Sequence, residues 1–231
     1  MDEAAGEVPI LVGVGALRTD EAVGLAQDAR AIGAAAGLLA PISYTPLTED
    51  EVFRHFATVA RESGLPLCIY DNPGTTHFTF SPALVNRLAN VPGIAGIKCP
   101  APDARSVSSH LSEMRTAVPN NFSVGYSVDW NAVEALLAGG DAWYSVLAGV
   151  FPDVCKKIVV AAQCGDDVEA RRIAARLQPV WDVFREFSSL RVVYALAEMR
   201  GLCRTAPPRP ILPLYEHARR KVELALRSME G

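Results

Sequence analysis

Lys98 is one of only four lysines in a chain of 231 residues, and it ends an apolar run, Ile94-Ala95-Gly96-Ile97-Lys98. An amine at such a place is a candidate nucleophile. Desolvation disfavours an ammonium, and the neutral amine attacks a carbonyl carbon to form a Schiff base. The plainer account is a side chain that snorkels out at the rim of a sheet or pairs with a carboxylate. Tyr70 ends the apolar run before it, Leu67-Cys68-Ile69-Tyr70. A phenol can pass protons to and from a carbinolamine, although a half-buried tyrosine with a wet hydroxyl explains the residue as simply. Tyr44 follows a third run, in Pro41-Ile42-Ser43-Tyr44-Thr45-Pro46, and taken alone reads as loop packing. Other chemistries find no footing. The four histidines, His55, His77, His110 and His217, lack metal-ligand spacing. Asp166-Asp167 reads as charge at a helix start, and no G-x-S-x-G occurs.

The elements that must position these residues alternate along the chain. Short, nearly continuous apolar runs span 9–15, 35–41, 65–72, 94–100, 122–127 and 142–149, as expected of parallel strands covered on both faces. Helix signals follow them. Thr19-Asp20-Glu21 predicts a cap, Thr48-x-x-Glu51 a capping box, and Ser81-Pro82 a cap with proline in the first turn. Asp129 and Pro152-Asp153 open two more helices. This is a βα repeat, and the active residues of a barrel lie at the C-terminal ends of its strands. Beyond residue 163 the pattern becomes helical, with amphipathic stretches around 166–187, 189–200 and 214–229. The expected organisation is a partial (β/α) barrel over 1–163 with a C-terminal helical extension of the same domain over 164–231. A doubly wound sheet would show a glycine-rich phosphate loop, and Gly13-Val14-Gly15 lacks the third glycine.

A net charge of -4 without a basic stripe points away from nucleic acid. No apolar stretch is long enough to span a bilayer, and the acidic start, Met1 to Pro9, has no apolar core of a secretory signal. Five cysteines without a C-x-x-C pair read as reduced thiols, so a cytoplasmic protein is expected.

Together, the tyrosine and lysine segments become specific. Tyr70-Asp71-Asn72-Pro73-Gly74-Thr75-Thr76 resembles the Y-N-x-P-x-x-T motif of the dihydrodipicolinate synthase and N-acetylneuraminate lyase family. Gly93-Ile94-Ala95-Gly96-Ile97-Lys98, with its lysine 28 residues after Tyr70, resembles the family's G-I-K motif. Val12-Gly13-Val14-Gly15 resembles its third strand, and Arg209-Pro210-Ile211-Leu212-Pro213-Leu214 its connection to the last helix. The resemblance implies a (β/α)8 TIM barrel, here incomplete with about six βα units, and a class I aldolase or lyase. Lys98 would form the Schiff base with pyruvate or another 2-oxo acid, and Tyr70 would relay protons. Tyr44 is the nearest match to a second relay tyrosine, although the family's P-Y-Y reads Pro41-Ile42-Ser43-Tyr44 here. Thr75, Thr76, Gly125 and Tyr144 fall at or near substrate-binding positions. An aldehyde is the implied second substrate, no metal or organic cofactor is required, and a homo-oligomer, dimer or tetramer, is expected.

Two departures qualify what the resemblance implies. Thr75 stands where the family's synthases carry an arginine that holds a carboxylate of aspartate semialdehyde, and a threonine cannot replace a bidentate guanidinium. Dihydrodipicolinate synthesis is therefore not the expected reaction. The G-T-T-G-E motif of the family's first two βα units is absent. The favoured expectation is a start internal to a longer protein. Closure of the barrel by self-association or a partner, or a degenerate non-catalytic barrel that binds a partner or a 2-oxo acid, are the alternatives.

Overall fold

The computed structural model describes residues 6–230, so the first residues of the acidic start lie outside it. Two compact units divide the chain, Met1–Tyr126 with Gly140–Ala142, and Ser127–Gly139 with Trp143–Gly231.

The first unit carries the βα repeat. β1 (Leu11–Gly13), α1 (Thr19–Ala31), β2 (Ala36–Leu39), α2 (Glu49–Ser63) and β3 (Leu67–Tyr70) come first. The short α3 (Pro73–Thr76), α4 (Pro82–Ala89), β4 (Ile94–Pro100), α5 (Val107–Ala117) and β5 (Ser123–Ser127) follow, before β6 (Ala142–Trp143). The strands lie side by side in sequence order, β1 to β6, and β1 through β4 pair in parallel. Leu67, Cys68 and Ile69 of β3 are all buried, as an uninterrupted apolar strand requires. Val52, Phe56, Val59 and Ala60 give α2 its buried stripe, at helical spacing.

Local signals place two of the helix starts. The Glu51 N–H donates to the Thr48 hydroxyl at 3.3 Å, and the Thr48 N–H donates to Glu51 Oε2 at 2.7 Å, which completes the capping box. The Ser81 hydroxyl accepts from the Leu84 N–H at 3.1 Å, one residue before Pro82. Thr19 corrects its expectation. It is the first residue of α1 rather than its cap, Arg18 stands at the cap position, and the Thr19 hydroxyl lies 2.9 Å from His55 Nδ1. A long-range partner has taken the hydroxyl from the local role.

The second unit is mainly helical. A 3-10 turn (Asp129–Asn131) leads into α6 (Ala132–Leu137), and a second (Leu147–Gly149) precedes α7 (Pro152–Gln163). α8 (Asp167–Arg176), α9 (Gln178–Phe187), α10 (Ser189–Met199) and α11 (Glu216–Glu230) complete it. The stretch read as one helix over 166–187 is two, broken at Leu177. Pro179 sits in the first turn of α9, where its missing N–H costs nothing, whereas it would interrupt the hydrogen bonds of one continuous helix. The core of this unit joins Ile158, Trp181, Phe184, Leu196 and Val222, with the rings of Trp181 and Phe184 edge to face at 5.7 Å. Among the described residues no helix is long and apolar enough to cross a membrane.

The run expected as a strand over 142–149 pairs only at Ala142–Trp143. The Asp129 carboxylate accounts for the early stop. It accepts from the Trp143 indole at 3.1 Å, from the Val146 N–H at 3.1 Å and from the Leu147 N–H at 2.9 Å. Backbone donors committed to a carboxylate cannot extend a ladder.

Candidate active site

β3 and β4 run in parallel with Tyr70 opposite Lys98, and the Asp71 N–H carries the ladder one step further by donating to the Lys98 carbonyl at 3.0 Å. Residues paired across adjacent strands share a face. Lys98 Nζ accordingly lies 4.3 Å from the centre of the Tyr70 ring, on its face. Both side chains are half-buried. The two residues with the strongest chemical signal in the sequence therefore meet near the C-terminal ends of neighbouring strands.

The loop after Tyr70 is held from one point. The Asn72 carbonyl accepts from the N–H groups of Thr75 and Thr76, each at 3.0 Å, and from their hydroxyls, at 3.3 and 3.0 Å. Thr75 is exposed and Thr76 half-buried, and both hydroxyls turn back on the loop. From the same residue, Asn72 Nδ2 donates to the Tyr70 phenol oxygen at 2.9 Å.

Asp71 was not singled out from the sequence. One of its carboxylate oxygens, Oδ1, is sealed from solvent without a hydrogen-bond partner, and burial pushes the carboxyl up to about 6. Neighbouring Cys99 is buried. Burial first, and then the nearby Asp71 and Cys68, push its thiol far above the ordinary range, which leaves it inert as a nucleophile. The Tyr126 hydroxyl lies 3.0 Å from His110 Nδ1. Burial pushes the Tyr126 phenol up and His110 down, so this pair is neutral near pH 7. Tyr126 and His110 read as ordinary core residues in the sequence, and only the packing joins them.

The remaining expected residues differ in setting. Gly125 is buried within β5. Tyr44 is 98% exposed, so its ring packs on nothing among the described residues, and the loop-packing account does not hold for it. In the second unit, Tyr144 is half-buried in the turn that Asp129 organises. Burial pushes the Asp129 carboxyl up, and the donors on Leu147, Trp143, Val146 and Ser145 oppose that shift. Among the described residues no group of three or more His, Cys, Asp or Glu side chains comes together as a metal site would require.

A parallel βα sheet with a lysine and a tyrosine paired near its strand ends defines a class of protein, the α/β enzymes whose chemistry sits at the C-terminal ends of strands. The model of the dihydrodipicolinate synthetase family matches residues 1–229, and the chain belongs to that family. It is an enzyme of the lyase class, of the class I aldolase type. The 4-hydroxy-tetrahydrodipicolinate synthase of Methylococcus capsulatus is 36% identical over 228 residues, covering 98% of this chain and 77% of the relative. The crystal structure of dihydrodipicolinate synthase from Agrobacterium tumefaciens superposes with a TM-score of 0.96 at 50% identity, over 99% of this chain and 77% of that one. The chloride-inhibited dihydrodipicolinate synthase from Acinetobacter baumannii, crystallised with pyruvate, is 30% identical with a TM-score of 0.88, over 98% and 77%. The chain thus spans about three-quarters of the length of these relatives.

Proposed function

We propose that this chain is a pyruvate-type aldolase that works through a Schiff base on Lys98. The observation that carries the proposal is the seating of Lys98 Nζ over the ring of Tyr70, from residues paired in register on β3 and β4. The amine attacks the keto carbon of a 2-oxo acid. The C–N bond forms, the carbonyl π pair moves to oxygen, and that oxygen takes a proton. Loss of water gives the iminium. Loss of a proton from the neighbouring carbon then gives an enamine, which adds to an aldehyde, and the reverse sequence cleaves the same bond. In this reading Tyr70 is the proton relay, handing a proton to the leaving hydroxyl and exchanging one with the neighbouring carbon. The bound pyruvate of the Acinetobacter baumannii enzyme supports a 2-oxo acid of this size.

The second substrate is an aldehyde without the carboxylate that a guanidinium would hold, because Thr75 offers a single hydroxyl and spends it on the Asn72 carbonyl. The relatives are instead dihydrodipicolinate and 4-hydroxy-tetrahydrodipicolinate synthases, and the family resemblance implies aspartate semialdehyde for such synthases. Rates with the two kinds of aldehyde, measured side by side, separate these readings. Thr76, Gly125 and Tyr144 are proposed to line the substrate site, with Tyr44 as an accessory tyrosine supplied from the surface, and the enzyme to work as a homo-oligomer.

Borohydride reduction in the presence of pyruvate tests the Schiff base. A stable adduct should map to Lys98 by peptide mass spectrometry, and Lys98→Ala should abolish it. A folded wild-type sample that traps no 2-oxo acid would overturn the proposal and leave the non-catalytic barrel as the reading.

A further inference from the structure

The Y-N-x-P pattern leaves the position of Asn72 open, yet its side-chain Nδ2 donates to the Tyr70 phenol oxygen at 2.9 Å. We infer that Asn72 is a positioning residue for proton transfer, whose amide donor fixes the direction of the Tyr70 O–H. This rests on the proposed relay role of Tyr70.

A phenol holds its hydrogen near the ring plane, in one of two positions on either side of the C–O bond. A donor arriving on one side leaves the hydrogen to the other. Asn72 brings such a donor from the loop side. The Asn72 carbonyl, an acceptor of the same loop, is already occupied by two N–H groups and two hydroxyls from Thr75 and Thr76. With Nδ2 donating on that side of the oxygen, the phenolic hydrogen is left for the reacting side. The same four contacts fix the backbone of Asn72, so its amide is aimed by a rigid segment. Those contacts use the carbonyl and not the side chain, so replacing the side chain leaves the loop its anchor.

Asn72→Asp is the discriminating variant. It has nearly the shape of asparagine but can only accept, so it turns the phenolic hydrogen toward residue 72. Asn72→Leu removes the contact. Two readouts apply. The first is exchange of the pyruvate methyl hydrogens in heavy water, followed by proton NMR, which reports enamine formation. The second is the 13Cζ resonance of Tyr70 in tyrosine-labelled protein, assigned by its loss in Tyr70→Phe.

Both Asn72 variants should lower the maximal exchange rate by at least about tenfold, the scale of one lost hydrogen bond in a transition state, while the pyruvate KM changes by less than about twofold. The Tyr70 resonance should move in both, and those of Tyr126, Tyr194 and Tyr215 should stay. Exchange by Asn72→Asp at the wild-type rate would overturn the inference, since it would mean that the amide accepts or merely fills space. So would a rise in KM at unchanged maximal rate. If wild type fails to exchange, or Tyr70→Phe exchanges as fast as wild type, the relay reading of Tyr70 fails instead. The resonance in Asn72→Leu then decides alone whether Asn72 holds the phenol.

Discussion

Asp71 stands directly after Tyr70 with a carboxylate oxygen sealed and unmet, and burial lifts the carboxyl from the ordinary aspartate range to about 6. Its sign is fixed by linkage. The folded protein holds this proton more tightly than the unfolded chain, so its contribution to stability is fully present below about pH 4 and lost as pH rises through about 6. Above that the fold carries an unpaired, partly buried charge. Asp71→Asn removes the charge and should stabilise the protein at pH 7.5 by about 1–2 kcal/mol, a figure reduced from the full shift because the carboxyl keeps some contact with solvent. Between pH 4 and 6 the difference between variant and wild type in urea unfolding should grow with pH. A difference that is flat, or of opposite sign, would rule the account out. Lys98 and Tyr70 were legible in the sequence because each ends an apolar run and the two runs are neighbours. Asp71 and Asn72 were not. Strand alternation turns Asp71 away from Tyr70, and the bend of the loop returns Asn72 to it, which residue types alone do not encode.

Strands and helices were legible where their signals were local, as in the capping box of Thr48 and Glu51 and the Ser81-Pro82 start of α4. They were misread where a distant partner intervened. Asp129 drew the donors of Val146 and Leu147 out of the β6 run, and His55 took the Thr19 hydroxyl. The close fit of β4 against β5 is of the same non-local kind. A Cβ placed on Gly96 would meet the Ser123 carbonyl oxygen at 2.9 Å and the Ser123 Cβ at 3.0 Å. The first of these is backbone, so the strands rather than a side chain must move. Gly96 lies two residues before Lys98, on the same face of the strand. Gly96→Ala should therefore cost about 1–3 kcal/mol of stability, as overpacking does, and should also slow borohydride trapping at Lys98 under conditions where the variant is folded. Trapping at the wild-type rate would show that β4 yields without displacing its lysine.

At the scale of the whole molecule, the sequential order of the strands leaves β1 with one strand neighbour, β2, among the described residues. Its other edge faces no strand among the described residues, and Leu11, on β1, and Val8, just before it, are 43% and 59% exposed. An edge of this kind with apolar side chains is a template for association, and proteins that keep such an edge free commonly place a lysine there. All four lysines lie elsewhere, at 98, 156, 157 and 221. This was legible only in part, because the apolar run at 9–15 announces a strand but not which side of it lacks a neighbour. The chain should therefore form larger species as its concentration rises, seen by sedimentation velocity, and Leu11→Lys should hold it as a single chain while leaving its circular dichroism unchanged. Borohydride trapping on the Leu11→Lys protein then separates two roles for association. Trapping that survives places the Schiff-base chemistry within one chain, where Tyr70 and Lys98 already meet, and trapping lost in a folded single chain makes assembly part of the site. A wild-type protein that stays a single chain at every concentration would remove the edge as an association surface.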